Sequence, residues 1–211
     1  MKSPRWRQLA LAEARIAGEG ATVAGVDEAG RGPLAGPVVA AAVVLDLSHD
    51  WDGVGDSKTL SAARREVLYA RVLSRARAFA WCVTGPRVID RDNIRRATLV
   101  SMRRAVERLA VAPGLVLVDG NDRIPGLAYA QQAVVDGDAT CLSIAAASIV
   151  AKVVRDRIME RLDRVWPQYG FVRHKGYGTP EHLAALGQFG PCPLHRFSFS
   201  PVRVQRRVLI L

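Results

Sequence analysis

Short apolar runs alternate along the chain with longer segments whose apolar residues recur at helical spacing. Thr22-Val23-Ala24-Gly25-Val26 reads as a buried strand. Pro37 to Leu45 is apolar without interruption, as expected of a central strand covered on both faces. After a polar stretch at 46–58, residues 61–77 space Val67, Leu68, Val72 and Leu73 as one helical face, with Ser61 as N-cap. Ala78 to Thr84 reads as a third strand. Residues 92–111 predict a long basic helix, capped by Asp92 or Asn93, with Ile94, Leu99, Met102, Val106 and Leu109 turned inward. Leu115 to Val118 forms a further buried strand, and Ala133 to Val135 a weaker one. A helix from about Thr140 to Trp166 follows, then a Gly/aromatic loop at 170–179 and a short helix opening at Pro180. Strands followed by helices, with a hairpin near the start, predict an α/β fold with a mixed sheet flanked by helices.

Composition narrows the class. At 211 residues, 49% hydrophobic and 24% charged, the chain supports one substantial core and is not a disordered sequence. No segment reaches the ~20 apolar residues of a membrane span. The stretch Leu9 to Ile16 is broken by Glu13 and Arg15 and reads as an amphipathic helix, not a signal peptide. Cys82, Cys141 and Cys192 form no CxxC pair, so reduced thiols and a cytoplasmic location are expected. Cys192 and His195 make a C-x-x-H pair with no second pair beside it, which does not predict structural zinc. Thirty Lys+Arg against twenty Asp+Glu leave a net charge of +10, a field that favours a polyanionic partner.

Against that basic background, acids stand at strand ends. Asp27 and Glu28 close the first strand before a Gly-rich turn, Asp119 closes the fourth, and Asp138 follows the fifth. Ligands collect outside the carboxyl ends of strands in α/β sheets, and gathered carboxylates suit Mg²⁺ or Mn²⁺. Each acid also has a plain reading: Asp119 before Gly120 fits a turn, Asp138 fits a helix cap, and Asp27 and Glu28 could pair with Arg31. Neighbouring residues on a strand point to opposite faces, so Asp27 and Glu28 share a site through their side chains only if the chain turns there. Ser148, Lys152 and Arg155 draw one polar seam along an otherwise apolar helix, aimed either at the acids or at a solvated edge. Gly30, Gly32 and Gly36 loosely match a dinucleotide-binding pattern. Pro33 and Pro37 spoil the helix that pattern needs, and the two acids would repel a pyrophosphate. His174-Lys175-Gly176-Tyr177-Gly178-Thr179 combines cations, glycines and an aromatic, a loop suited to a phosphate backbone.

The motifs together resemble the bacterial type 2 ribonucleases H, the ribonuclease HII family. They are Val-Asp-Glu-Ala-Gly-Arg-Gly-Pro-Leu-Ala-Gly-Pro-Val at 26–38, Asp-Ser-Lys at 56–58, Val-Asp-Gly at 118–120 and Gly-Asp at 137–138. Further on stand Ala-Ala-Ala-Ser-Ile-Val-Ala-Lys-Val-Val-Arg-Asp at 145–156, His-Lys-Gly-Tyr-Gly-Thr at 174–179 and His-Arg-Phe-Ser-Phe-Ser-Pro-Val at 195–202. The resemblance implies a ribonuclease H-like sheet flanked by helices, in a single domain with its core at about 22–166 and a small C-terminal substrate-binding extension at about 167–211. It also implies a monomeric endonuclease acting on RNA/DNA hybrids and on single ribonucleotides in duplex DNA, by two-metal chemistry with Mn²⁺ or Mg²⁺. By matching position, Asp27, Glu28, Asp119 and Asp138 become metal-site acids. Gly30, Arg31, Gly32 and Tyr177 become readers of the ribose 2′-hydroxyl, and Ser57, Lys58, Ser148, Lys152 and Lys175 lie along the substrate. The N-terminal helix and the tail 203–211 match no motif. A non-enzymatic nucleic-acid-binding module would explain the charge but not the acids; a nucleotide-dependent oxidoreductase would explain the glycines but not the charge.

Overall fold

A computed structural model of the protein describes residues 4–18, 20–55, 57 and 59–203. Its elements run α1 (Arg5–Ala17), β1 (Val23–Ala29), β2 (Val38–Val44), α2 (Ala62–Arg75), β3 (Ala78–Thr84), α3 (Pro86–Asp92), α4 (Ile94–Glu107), β4 (Leu115–Asp119) and β5 (Gln131–Val134). Then come α5 (Gly137–Thr140), α6 (Leu142–Val165), a 3₁₀ turn at Pro167–Tyr169, α7 (Phe171–His174) and α8 (Pro180–Phe189). The sheet order is β3-β2-β1-β4-β5. β1, β2 and β3 pair antiparallel, whereas β4 and β5 join β1 in parallel, so the mixed α/β sheet expected from the pattern is present. No described helix is long and apolar enough to cross a membrane.

Side-chain alternation divides the strands between two layers. Val39, Ala41 and Val43 pack with α1, α2 and α6 on one face. Ala24, Val26, Ala40, Ala42, Val116 and Val118 pack with Met102, Ala105 and Val106 of α4 on the other. Gly25 explains how closely α6 lies on β1, because a Cβ there would stand 2.1 Å from the backbone carbon of Ser143. The first turn of α6 is held from α1: the buried Glu13 carboxylate accepts the Ser143 N–H at 2.8 Å and its hydroxyl at 2.7 Å.

Several expected boundaries shift for local reasons. β1 continues through Asp27 and Glu28 to Ala29, so both acids lie inside the strand and the turn follows them. Pro86 starts a short α3 that the pattern did not predict. Asn93, at φ 65°, separates it from α4 and caps that helix by accepting the Arg96 N–H at 3.0 Å, so the cap is Asn93 and not Asp92. Gln131 opens β5 earlier than expected, its amide bonded both ways to the Ile124 backbone in place of apolar packing. The long helix begins as α5, breaks at the extended Cys141, and resumes as α6. α7 occupies the first part of the supposed 170–179 loop. In α2 the inward face is Leu68, Tyr69 and Val72, leaving Val67 53% exposed; Ser61 caps it as expected, accepting the Arg64 N–H.

Candidate active site

The parallel register that pairs Val26 with Val118 brings Asp27 of β1 level with Asp119 of β4. Alternation then turns both carboxylates toward α6, the face on which Leu117 packs with Ile144. Asp27 is 4% exposed. Its Oδ1 accepts the Glu28 N–H at 2.6 Å, and the Ser148 hydroxyl of α6 donates to it as well. Burial first, then the negative charges of Glu28 and Asp119, push the Asp27 carboxyl well above the ordinary aspartate range, outweighing those two hydrogen bonds.

Glu28 faces the other way. It bonds Arg31 at 3.4 Å and lines two clefts: the main one on the α6 side and a smaller one against α4. Asp138 is buried in α5, whose first residue, Gly137, donates its N–H to Asp119 Oδ1 at 2.7 Å; it does not line the main cleft. Among the described residues no three His, Cys, Asp or Glu side chains stand together at metal-binding spacing. The strand geometry accounts for this, since Glu28 occupies the opposite face from Asp27 and Asp119. The donor set nevertheless fits a hard divalent cation. Two level carboxylates with a third at the rim share one anionic floor, and their repulsion at Asp27 is what such a cation relieves.

The main cleft has a volume of about 240 Å³ and is walled by Gly30, Arg31, Gly32, Ser57, Ser148, Lys152, Arg155 and Tyr177. Ser57 and Ser148 share a 2.8 Å hydroxyl–hydroxyl bond, and Lys152 pairs with Asp156 at 2.7 Å. The Tyr177 ring is 47% exposed and lies over Gly32, where an added Cβ would meet only its Cε1, at 3.7 Å. Lys175 bonds Glu160 at 2.7 Å and stands outside the cleft. Lys58 and residues 204–211 lie outside the described residues.

Two arginines shape the glycine turn. Arg155, 1% exposed, donates to the carbonyls of Pro37 and Ala35, so it neither points at the acids nor lies on a solvated edge. Arg196, fully buried, donates to the carbonyls of Gly30, Arg31 and Gly36. Its pKa is lowered to about 9, by burial and then by the neighbouring Arg155 charge, which still leaves it cationic at neutral pH. Gly30, at φ 97°, has no room for a side chain beside Arg155. Arg196 was not among the expected site residues. Its one sequence signal is a lone cation inside the aromatic motif at 195–202.

A level acid pair at the ends of adjacent parallel strands, in a cleft also lined by Arg31, Lys152 and Arg155, fits a nuclease of the ribonuclease H fold. The ribonuclease H2 of Pyrococcus horikoshii superposes with a TM-score of 0.76 at 29% identity, covering 90% of this chain and 99% of that one. Bst-RNase HIII in complex with Mn²⁺ shares the fold at TM-score 0.69 and 18% identity, covering 97% and 72%. The Ribonuclease HII family model matches residues 24–202. Ribonuclease HII 1 of Methylibium petroleiphilum is 57% identical over 180 residues, 85% of this chain and 90% of that protein. The chain belongs to the ribonuclease HII family, and is an endonuclease with ribonuclease H activity on RNA/DNA hybrids.

Proposed function

We propose that the enzyme nicks duplex DNA on the 5′ side of a single embedded ribonucleotide, besides hydrolysing the RNA strand of hybrids, and leaves 3′-hydroxyl and 5′-phosphate ends. The observation that carries the reading is the level pair of Asp27 and Asp119 on the floor of a cleft whose wall is the open Gly32 backbone beneath Tyr177. The 2′-hydroxyl is what separates RNA from DNA, and a backbone group with no side chain in front of it can approach that hydroxyl closely. The exposed Tyr177 ring would pack on the adjoining sugar, and Arg31, Lys152, Lys58 and Lys175 would meet phosphates.

Asp27, Glu28, Asp119 and Asp138 would hold divalent Mn²⁺ or Mg²⁺, which supplies positive charge for water activation and for the leaving oxygen in phosphodiester hydrolysis. Ser148 bridges Asp27 to Ser57 and so fixes the orientation of the Asp27 carboxylate. Arg196 and Arg155 hold the carbonyls of Gly30, Arg31, Gly36 and Pro37, which would leave the amide groups of the glycine turn available to substrate.

The test is a labelled DNA duplex carrying one ribonucleotide, with product ends mapped at nucleotide resolution. The expected product is a single nick 5′ of the ribonucleotide with a 3′-hydroxyl end. Tyr177→Ala should lower that cleavage at least tenfold while plain duplex binding changes no more than about twofold. Cleavage confined to continuous RNA tracts, or a cyclic phosphate product, would remove the junction reading.

A further inference from the structure

A groove roomier than the main cleft lies on the opposite side of the sheet. It measures about 600 Å³ and is lined by Arg95, Arg96, Leu99, Val100 and Arg103 of α4, with Asn93 and Pro125 beside them. Three guanidiniums and no carboxylate line it. Helix α4 as a whole carries four arginines against one acid, Glu107.

The groove is continuous with the acids. Arg95 and Leu99 also line the smaller cleft against α4, which Glu28 and Asp119 close at its other end. Those same two acids line the main cleft. A polymer seated over the acid pair can therefore run from the α6 side, across the strand ends, onto α4.

We propose that this groove seats the phosphodiester backbone of the substrate duplex on one flank of the cut. The inference rests on the nuclease reading of the acid pair and extends its footprint. Arg96 and Arg103 are seven residues apart, nearly two turns, so they share one side of the helix at a rise of roughly 10 Å. Duplex DNA advances roughly 3.4 Å per nucleotide along each strand, so the two cations match phosphates about three steps apart. Leu99, Val100 and Pro125 give the groove an apolar floor for sugar faces. The arginines have acidic neighbours in Asp122, Glu107 and Asp92. The Arg95–Asp122 and Arg103–Glu107 pairs are solvent-exposed, so they hold weakly and a phosphate can displace them.

The experiment compares wild type with Arg96→Gln/Arg103→Gln on ribonucleotide-containing duplexes. The double variant should raise KM five- to twentyfold at moderate salt and leave kcat within twofold. The slope of log affinity against log salt should become shallower by about 2, near 0.9 per lost phosphate contact. Trimming the duplex on one side of the ribonucleotide should erase the difference between the two proteins, and trimming the other side should not. Arg96→Lys/Arg103→Lys should keep most of the wild-type slope, which separates lost charge from disturbed folding. An unchanged salt slope, or a penalty independent of both flanks, overturns the proposal in favour of another occupant such as an acidic protein. Duplex binding at varied salt is read alongside cleavage, so a failure of the nuclease reading (no cleavage by wild type) stays distinguishable from a failure of the groove.

Discussion

Asp119 stands level with Asp27 because β4 runs parallel to β1 in the register that pairs Val26 with Val118. Two like charges at one level, Asp27 buried and Asp119 partly buried, raise the energy of the folded state, and the high pKa of Asp27 is the sign of it. Asp27→Asn keeps the shape and removes one charge. Cleavage should fall at least a thousandfold, while the melting temperature holds or rises by a few degrees, function and stability being opposed at such a site. Steady-state rates and thermal melts of the same preparation decide it; substantial turnover, or a large drop in melting temperature, contradicts this role.

Two glycines of the first motif should behave oppositely. At Gly25 a Cβ would collide with the α6 backbone, 2.1 Å from the Ser143 carbon and 2.2 Å from the Ile144 nitrogen, and neither can move without the whole helix. Gly25→Ala should therefore destabilise by about 3 kcal/mol or more, at or beyond the upper end of overpacking costs. Gly32→Ala meets only ordinary contact with Tyr177, so it should fold with stability changed by less than ~0.5 kcal/mol, yet cut ribonucleotide-containing duplex poorly. Equal melting temperatures for the two variants would refute the packing argument.

Much of this arrangement was legible in the chain, and the rest was not for identifiable reasons. The unbroken run at Pro37–Leu45, the Ser61 cap and the placing of acids near strand ends are local signals, and local chemistry decided them. Which acids face each other is a matter of sheet register, and a sequence does not display that. Hence Glu28, beside Asp27 in the chain, turns to the α4 side, while the distant Asp119 joins Asp27. The motif at 174–179 sets Lys175 along the substrate, but its bond to Glu160, fifteen residues earlier, shows only in the fold. Arg155 was read as aimed at the acids or at solvent, whereas it supports backbone carbonyls; the same role for Arg196 depends on a contact with residues 30–36 that spans most of the chain.

Cation removal should abolish cleavage and leave the fold intact. The acids hold their places through Ser148, the Glu28 amide and the Gly137 amide, so the sheet does not depend on metal for its shape. Exhaustive chelation should reduce activity below detection with little change in circular dichroism. Mn²⁺ or Mg²⁺ should restore it, and the larger, loosely coordinated Ca²⁺ should do so poorly. Full activity after chelation would sink the metal reading.

Arg196→Lys tests the support of the glycine turn. Lysine keeps the charge but cannot span the carbonyls of Gly30, Arg31 and Gly36 with one planar fork. A loss of about 2–4 kcal/mol is expected, in line with breaking a buried polar network. KM for ribonucleotide-containing duplex should rise more than KM for any duplex-binding step read by salt titration alone. A variant melting within a degree of wild type would show that the turn holds itself.

Acid should loosen the C-terminal lobe through its histidines. His182 Nδ1 donates to the Tyr177 carbonyl at 2.9 Å, which leaves its Nε2 to accept from His195 Nε2 at 3.1 Å. His195 Nδ1 is then bare and accepts the Cys192 N–H at 3.0 Å. One set of neutral tautomers satisfies these three bonds, and an added proton sets one N–H against another. Burial lowers His182 and, with the His182 charge as the second cause, takes His195 down to about 4. The unfolded chain titrates near 6.5, so between about 6.5 and 4 it binds more protons than the folded one. The stability from these neutral rings is fully present above about 6.5 and is lost as pH falls toward 4, by up to about 3 kcal/mol. Asp27 and Glu13, whose pKa values are raised, act in the opposite sense, so the measurement belongs in the Asp27→Asn background. Asp46, Asp92 and Asp122, held below the ordinary aspartate value, weaken the fold only at lower pH. Melting temperature should fall steadily from pH 6.5 to 4.5. His195→Gln added to Asp27→Asn should begin less stable at pH 7.5 and lose less on acidification; a flat curve for Asp27→Asn alone, or parallel curves for the two proteins, would mean that the histidines do not control the lobe that positions Tyr177.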